Sequence, residues 1–351
     1  MSYSIEVDKI SKEAWSQALL TFDDGNIYQT WSYGAIRWGR ENLSHLIVKN
    51  NETVVAMAQV AIKALPVLQR GIAYIPWGPV WRKKGNNAGQ NIMETLLQAI
   101  NEEYAQKRKL LVRIAPQDTI EENEWLEQAL SSEGYCFKAR PYKTIFVNLS
   151  NPMEHLLSAS SRRWKRALKT AEQKDLKIVQ GTEDNLYQAF STLYEEMVGR
   201  KHFNPAIDIN EFRQIQQDLP EEMKMKIMIC HFKEKAVAAL IASCIGLRGI
   251  GLLGATGTAG LNLGGFHLLN WKMMEWMKSN GATCYDFGGY DPQSNPGTAS
   301  FKESIDGKIV NHVGVFELSK SKLSSWVVER GEKLRKDQKH GTLFKKFLAG
   351  N

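Results

Sequence analysis

The chain has 351 residues, of which 43% are hydrophobic and 24% are charged. This composition excludes a disordered or fibrous chain, and the length predicts two domains. No segment approaches the roughly 20 apolar residues that cross a bilayer, and Met1–Ser16 lacks a basic start followed by an apolar run, so we expect a cytoplasmic protein. The formal net charge of +7 favours a polyanionic partner such as RNA, a nucleotide-linked substrate or an anionic membrane surface.

The cysteines and histidines show no spacing typical of a metal site or a covalent nucleophile. Three of the four cysteines lie in apolar, strand-like runs, so we expect buried, reduced thiols. The seven histidines form no HxxxH or HExxH motif, and no GxSxG motif occurs. The sequence therefore predicts neither a metal nor a serine nucleophile. The cysteines are Cys136, Cys230, Cys244 and Cys284.

The first half of the chain contains a strand-rich segment followed by a helix and another strand. Two β-rich runs, 45–49 and 53–62, flank a polar turn and predict a hairpin. Gly71–Val80 predicts a third strand, Gln90–Tyr104 a helix with apolar residues at helical spacing, and Lys109–Pro116 a further strand. A domain boundary is expected near Asn148–Pro152, where Asn151 would cap a new helix before Pro152.

A basic helix is predicted over Ser160–Ile178. Its first two turns crowd together cations that repel one another, which favours contact with phosphate over a merely solvated face. Trp164, in the same turns, could stack on a base or anchor the helix in the core, and the anchor is favoured. The predicted phosphate-binding cations are Arg162, Arg163, Lys165 and Arg166.

Arg200 closes the next helical segment, Tyr194–Pro205. Its guanidinium could bind a phosphate or carboxylate, or it could simply complement the helix dipole, and the sequence does not decide between these roles. A similar cluster occurs earlier, where Arg37 and Arg40 stand close in sequence to Trp31 and Trp38.

The order of elements in the first half then occurs again. The runs 225–232, 236–246 and 248–257 predict three strands, Phe266–Ser279 a helix and Thr283–Gly289 a further strand. An internal duplication explains this better than chance. A hairpin, a third strand and a crossover helix into another strand predict an α/β fold with a mixed sheet flanked by helices in each copy. The amphipathic stretch Lys320–Lys339 is expected to pack on the first domain.

The strand Thr283–Gly289 leads into a loop rich in Gly, Pro and Ser that ends at Phe301 and Lys302. Such loops are common ligand sites, and an ammonium there could stabilise the oxyanion formed when an amine attacks an ester or thioester. An ordinary surface lysine is the alternative. The segment 263–266 (Leu-Gly-Gly-Phe) has part of a pyrophosphate-binding loop, but the full pattern is missing, which weakens a coenzyme A interpretation.

These segments together resemble the FemABX family of aminoacyl-tRNA-dependent peptidyltransferases. The basic Ser-Arg-Arg helix, the segment ending in Arg200, and YDFGG followed by FKESIDG carry the resemblance. It implies two tandem GNAT-like (acyl-CoA N-acyltransferase-like) domains: 1–148, completed by the C-terminal helix 319–351, and 149–318. It also implies transfer of an amino acid from aminoacyl-tRNA to the stem-peptide amine of a nucleotide- or lipid-linked peptidoglycan precursor, without a cofactor and with peripheral contact to the inner membrane face.

By this resemblance, Lys302 and Phe301 match the family's catalytic pair, and Arg37, Arg200 and Tyr290 fall at substrate-binding positions. At three places on the acceptor side the sequence differs from the family's pattern, including Ala115, where many members carry Asp. A non-peptidoglycan acceptor, such as an exopolysaccharide or a peptide natural product, therefore stays open. So do an acetyl-coenzyme A-dependent N-acetyltransferase and a non-catalytic RNA- or nucleotide-sugar-binding module.

Overall fold

The computed structural model describes residues 3–85, 89–140, 143–201 and 207–337, which form two compact units. Of the described residues, the first unit comprises 3–85, 89–140 and 311–337, and the second comprises 143–201 and 207–310. These bounds differ from the predicted divisions at 148 and 318. The reason is strand pairing: Lys143–Asn148 pairs in the second sheet, and Val315–Ser319 pairs in the first.

The described residues contain fourteen strands and eleven α-helices. The strands are β1 Tyr3–Val7, β2 Leu43–Asn50, β3 Thr53–Leu65, β4 Arg70–Pro76, β5 Leu111–Ala115, β6 Cys136–Ala139, β7 Lys143–Asn148, β8 Lys177–Gly181, β9 Lys226–Phe232, β10 Lys235–Cys244, β11 Arg248–Thr256, β12 Cys284–Tyr290, β13 Lys308–Asn311 and β14 Val315–Ser319. The helices are α1 Lys12–Leu19, α2 Trp31–Trp38, α3 Gln90–Ile100, α4 Glu124–Ser132, α5 Met153–Ala159, α6 Arg162–Gln173, α7 Asp184–Lys201, α8 Ile209–Asp218, α9 Gly265–Ser279, α10 Pro296–Lys302 and α11 Lys322–Asp337.

The first unit is built on a seven-stranded mixed sheet in the order β1-β2-β3-β4-β5-β14-β6. Its one parallel pair among the described strands is β4–β5, which α3 connects as a crossover. The apolar side chains of α3 pack on this sheet because they recur at helical spacing, and Ile92, Met93, Leu96 and Leu97 are all buried.

The second unit repeats this plan in the order β13-β7-β12-β11-β10-β9-β8. Here β11 and β12 form the parallel pair, and α9 is the crossover. The elements β2-β3-β4-α3-β5 thus correspond to β9-β10-β11-α9-β12. The predicted α/β fold with two tandem mixed sheets flanked by helices is confirmed.

Several local predictions differ from the structure. The basic helix ends at Gln173 and its last predicted residues, Lys177 and Ile178, begin β8. The N-cap of α5 is Pro152 rather than Asn151. No disulfide joins the cysteines, but of the four only Cys230 is fully buried. Cys244 and Cys284 are partly buried, and Cys136 is exposed because its strand lies at the edge of the first sheet.

The C-terminal helix α11 lies against the first sheet. The Ser324 hydroxyl donates to the Lys109 carbonyl, Val328 packs against Ile72 and Leu111, and Arg113 forms an ion pair with Glu332 (2.6 Å). Residues 338–351, which the predicted helix 319–351 includes, lie outside the described residues. None of the described helices is long and apolar enough to span a bilayer.

Candidate active site

An open cavity of about 1130 Å³ lies in the second unit. It is bounded by the basic helix α6, the C-terminal turn of α7, the strands β10 to β12, the N-terminus of α9 and the short helix α10. Both Phe301 and Lys302 line it. The cavity therefore brings most of the predicted site segments of this unit together.

Lys302 is the last residue of helix α10, although the sequence predicted a loop there. The Asn295 side chain accepts a hydrogen bond from the Thr298 backbone N–H (3.3 Å), and Pro296 occupies the first helical turn. An Asn cap followed by proline is a standard helix start. The helix fixes the position of Lys302 more firmly than a loop would.

The Lys302 ammonium is buried and donates two hydrogen bonds to the end of β12. Its Nζ lies 2.9 Å from the Gly288 carbonyl oxygen and 2.7 Å from that of Gly289. Gly288 has a φ of +72°, and the pairing of β12 with β7 is irregular between Asp286 and Gly289. Glycine adopts this left-handed conformation without steric cost, and so both carbonyls can face the ammonium.

An ammonium has three N–H donors, and two are used by these carbonyls. Burial lowers the pKa of Lys302 to about 8, although the nearby Asp286 carboxylate favours the charged form. The side chain is thus still mostly cationic at neutral pH. These two carbonyls leave one N–H of Lys302, which lines the cavity, for another acceptor.

Phe301 belongs to an aromatic cluster on the wall of the cavity. Its ring centroid lies 5.4 Å from that of Trp164, 5.1 Å from Phe266 and 4.9 Å from His267. Trp164 is completely buried, as expected of a core anchor rather than a base-stacking residue. The cluster joins α6, α9 and α10 at the point where Lys302 enters the cavity.

Seven Lys and Arg residues line the cavity, and no Asp or Glu is among the described residues that do so. The cations are Arg162, Arg163, Arg166, Lys174, Arg200, Lys201 and Lys302. Lys165 does not belong to this set. It lies on another face of α6, where its Nζ donates to the Ser158 carbonyl (2.6 Å). A cavity of this composition favours a ligand with several negative charges.

Arg200 stands at the C-terminal turn of α7, where it both ends the helix and lines the cavity. Its guanidinium donates to the Thr256 carbonyl at the end of β11 (2.7 Å). The side chain thus fixes α7 to β11. The segment after Lys201, including Asn204 and Pro205, lies outside the described residues.

Two predicted substrate-binding residues are not among the described residues that line this cavity. Arg37 is in the first unit, in the last turn of α2, with its guanidinium 5.7 Å from the Trp38 ring centroid. Tyr290 does not line the cavity, and its hydroxyl donates to the Glu303 carboxylate, which raises the pKa of Tyr290. Their predicted roles stay predictions.

The N-terminus of α9 also opens into the cavity, although its sequence has only part of a pyrophosphate-binding loop. Gly264 precedes the helix with a φ of +75°, and a Cβ there would lie 2.2 Å from the Ala167 carbonyl oxygen of α6. Gly265, Phe266 and His267 line the cavity, and the first backbone N–H groups of a helix favour anions. Burial, helped by Arg163, lowers the pKa of His267 to about 4, so its ring is neutral.

The comparisons with known proteins agree with this architecture. Residues 158–303 match the acetyltransferase (GNAT) domain family, and no curated protein sequence matches the chain. Among solved structures, FemX matches with a TM-score of 0.78 at 17% identity over 92% of this chain and 100% of its own. The GNAT match over residues 158–303 lies within the second unit, which contains the cavity.

Two further structures match at lower similarity. A conserved protein of unknown function from Bacteroides thetaiotaomicron has a TM-score of 0.60 at 12% identity, over 90% of this chain and 99% of its own. The C-terminal domain of a protein assigned as a lysylphosphatidylglycerol synthetase in Agrobacterium fabrum has a TM-score of 0.56 at 9% identity, over 92% of this chain and 96% of its own. The chain therefore has the tandem GNAT fold of FemX, as the predicted resemblance to the FemABX family implies.

Proposed function

We propose that the chain is an aminoacyltransferase that moves an amino acid from aminoacyl-tRNA to an amine acceptor. The observation that carries this proposal is the cavity of the second unit, in which Lys302 is one of seven cations and no Asp or Glu is among the described lining residues. The 3′ end of a charged tRNA carries several phosphates and one activated ester. The cavity offers cations for the former and an oxyanion donor for the latter.

The reaction needs no covalent enzyme intermediate. The acceptor amine attacks the ester carbonyl carbon, a C–N bond forms, and the carbonyl oxygen becomes an oxyanion that the third Lys302 N–H stabilises. The C–O bond to the tRNA ribose then breaks, the amide forms, and the proton lost by the amine passes to the ribose oxygen. Because the ester is already activated, positioning and electrostatic stabilisation supply the catalysis.

For the acceptor, we propose the stem peptide of a peptidoglycan precursor, with Arg37, Arg200 and Tyr290 among the residues that bind it. The resemblance to the FemABX family supports this acceptor, while Ala115 and the other acceptor-side departures favour testing an exopolysaccharide or peptide natural product beside it. Incubation with radiolabelled aminoacyl-tRNAs and a panel of such amines would identify both substrates.

The decisive experiment is single-turnover transfer with the Lys302→Ala variant. We expect the rate to fall by roughly 10²–10³-fold, because one oxyanion donor is lost. Lys165→Ala is the matched control, since that lysine bonds the Ser158 carbonyl outside the cavity, and its rate should stay within about twofold of the parent. Unchanged transfer in Lys302→Ala, or no transfer from any charged tRNA, would contradict the proposal.

An acetyl-coenzyme A-dependent N-acetyltransferase is the second candidate. The N-terminus of α9 in the cavity favours it, because helix N-termini of this kind bind pyrophosphate, and so does the GNAT family match over 158–303. A thermal-shift comparison separates the two candidates, since a ligand stabilises the protein it binds. Stabilisation by coenzyme A but not by aminoacyl-tRNA would favour the acetyltransferase.

A further inference from the structure

The first unit carries exposed apolar side chains at the tip of its β3–β4 hairpin. Val67 is 91% exposed and Leu68 is 47% exposed. Pro66 precedes them in the turn that joins Leu65 to Arg70. Folding does not explain two adjacent branched apolar residues at a hairpin tip, because neither buries its side chain in the core.

A second element exposes apolar groups at the same end of the sheet. Leu323 and Trp326 lie one helical turn apart on α11, and both are exposed, Trp326 by 53%. The register of β4 and β5 places the hairpin tip and these two residues at the same end of the sheet. Arg70 begins β4 two residues before Ile72, which pairs with Leu111 of β5.

The helix begins at that same level of the sheet. The Ser324 hydroxyl of α11 donates to the carbonyl of Lys109, which lies two residues before Leu111. The hairpin tip and the first turns of α11 therefore project from one end of the first sheet. We call the apolar residues Val67, Leu68, Leu323 and Trp326, with the cations near them, the hairpin–helix surface.

The charged residues at this end are mostly basic. Lys109, Lys320 and Lys322 are exposed, and Arg330 lies over the Trp326 ring at 5.7 Å. Two nearby acids, Glu102 and Glu103, are already paired with Lys107 and Arg108, respectively, and one exposed acid, Glu329, follows Trp326 by one helical turn.

We propose that the hairpin–helix surface docks the protein on an anionic membrane surface. Apolar side chains with a tryptophan enter the headgroup boundary, and flanking Lys and Arg residues are attracted to anionic lipids. A nucleic acid would satisfy the cations but not Val67 and Leu68. A second copy of the chain is disfavoured, since a two-fold interface would bring the same lysines against one another.

Sedimentation of the full-length protein with lipid vesicles tests this surface independently of transfer activity. We expect the protein to pellet with vesicles that contain phosphatidylglycerol and to stay in solution with pure phosphatidylcholine. Added salt should weaken binding, because the electrostatic part is screened. The variants V67E/L68E and L323E/W326E should each lower the partition coefficient by about tenfold or more.

The matched control is V179E/I309E, which makes the same chemical change at two exposed apolar residues of the second unit; Val179 is 47% exposed. Its binding should stay within about twofold of the parent, and circular dichroism should show all variants folded. Failure to bind phosphatidylglycerol vesicles, or an equal loss in the control, would overturn the proposal. The proposal would also be overturned if V67E/L68E and L323E/W326E bound vesicles normally but lost tRNA affinity, or lost a dimer that light scattering detects in the parent.

Discussion

Lys302 is held by a short chain of buried polar contacts. Asp286 accepts hydrogen bonds from the Thr144 hydroxyl and from the Gly288 N–H (2.7 Å), and the Gly288 carbonyl in turn accepts from Lys302. Asp286 therefore fixes the left-handed turn whose carbonyls face the ammonium. Its carboxylate also favours the charged form of Lys302 against the effect of burial. One residue thus sets both the position and the charge of the proposed oxyanion donor.

This arrangement predicts that the contribution of Lys302 to transfer declines in alkaline solution. The pKa of Lys302 is lowered from 10.5 to about 8, so the ammonium is lost as the pH rises through about 8 rather than above 10. Acceptor amines react faster at high pH, which masks the effect in raw rates. The ratio of the parent rate to the Lys302→Ala rate removes this contribution and should fall above about pH 8. A ratio that stays constant up to pH 10 would show that the charge of Lys302 is not used.

Asp286→Asn should shift this decline to lower pH. The variant removes the negative charge that favours the ammonium, so the pKa of Lys302 should fall further, while the amide oxygen can still accept from Gly288. A merely structural role for Asp286 would lower the rate without moving the pH profile. Asp291→Asn is the control, because Asp291 is an exposed acid of the following turn that accepts from the Gln293 and Ser294 N–H groups.

At the scale of elements, the contact between α6 and α9 shapes the floor of the cavity. Gly264 stands where the chain enters α9, and the Ala167 carbonyl of α6 occupies the space that a Cβ would need. Two helices approach this closely only where one of them lacks a side chain. The cations of α6 and the N-terminus of α9 reach the same cavity because of this approach.

Gly264→Ala should therefore destabilise the second unit by at least about 2–3 kcal/mol, combining the cost of a left-handed alanine with a backbone clash. Gly281→Ala isolates the first contribution. Gly281 follows α9 with a φ of +86°, and a Cβ there would meet no atom within 4 Å, so a loss of roughly 1 kcal/mol is expected. Chemical denaturation measures both; equal losses would mean that α6 yields to the new side chain.

The elements that the sequence predicted well are those with a strong local pattern. The strands β2 to β5 and β9 to β12 and their crossover helices follow from apolar periodicity, and the duplication reinforced each copy. Helix α10 was missed because seven residues are too few for a periodic signal, although Asn295–Pro296 marked its start. Lys174 lines the cavity and Lys165 does not, because of the face of α6 that meets α9. Tertiary packing decides which face this is, so the sequence of α6 alone does not predict it.

At the scale of the whole molecule, the net charge of +7 gives every anion some attraction, regardless of where it binds. A polyanion that uses the cavity must also contact particular cations there. Helix α6 separates these two contributions, because it carries basic residues on different faces. Arg162 and Arg166 line the cavity, whereas Lys165 and Lys169 are exposed elsewhere on the helix.

Two double variants of α6 therefore change the net charge equally but the cavity unequally. R162Q/R166Q and K165Q/K169Q each remove two charges, so they weaken long-range attraction to the same extent. Only the first removes contacts with a polyanion in the cavity. The slope of the logarithm of tRNA affinity against the logarithm of salt concentration should become shallower by about 1.4–1.8 in R162Q/R166Q, since each lost phosphate contact contributes roughly 0.7–0.9. The slope of K165Q/K169Q should stay close to that of the parent. Equal slopes in the two variants would mean that tRNA is attracted by the overall charge of the protein and does not bind in the cavity.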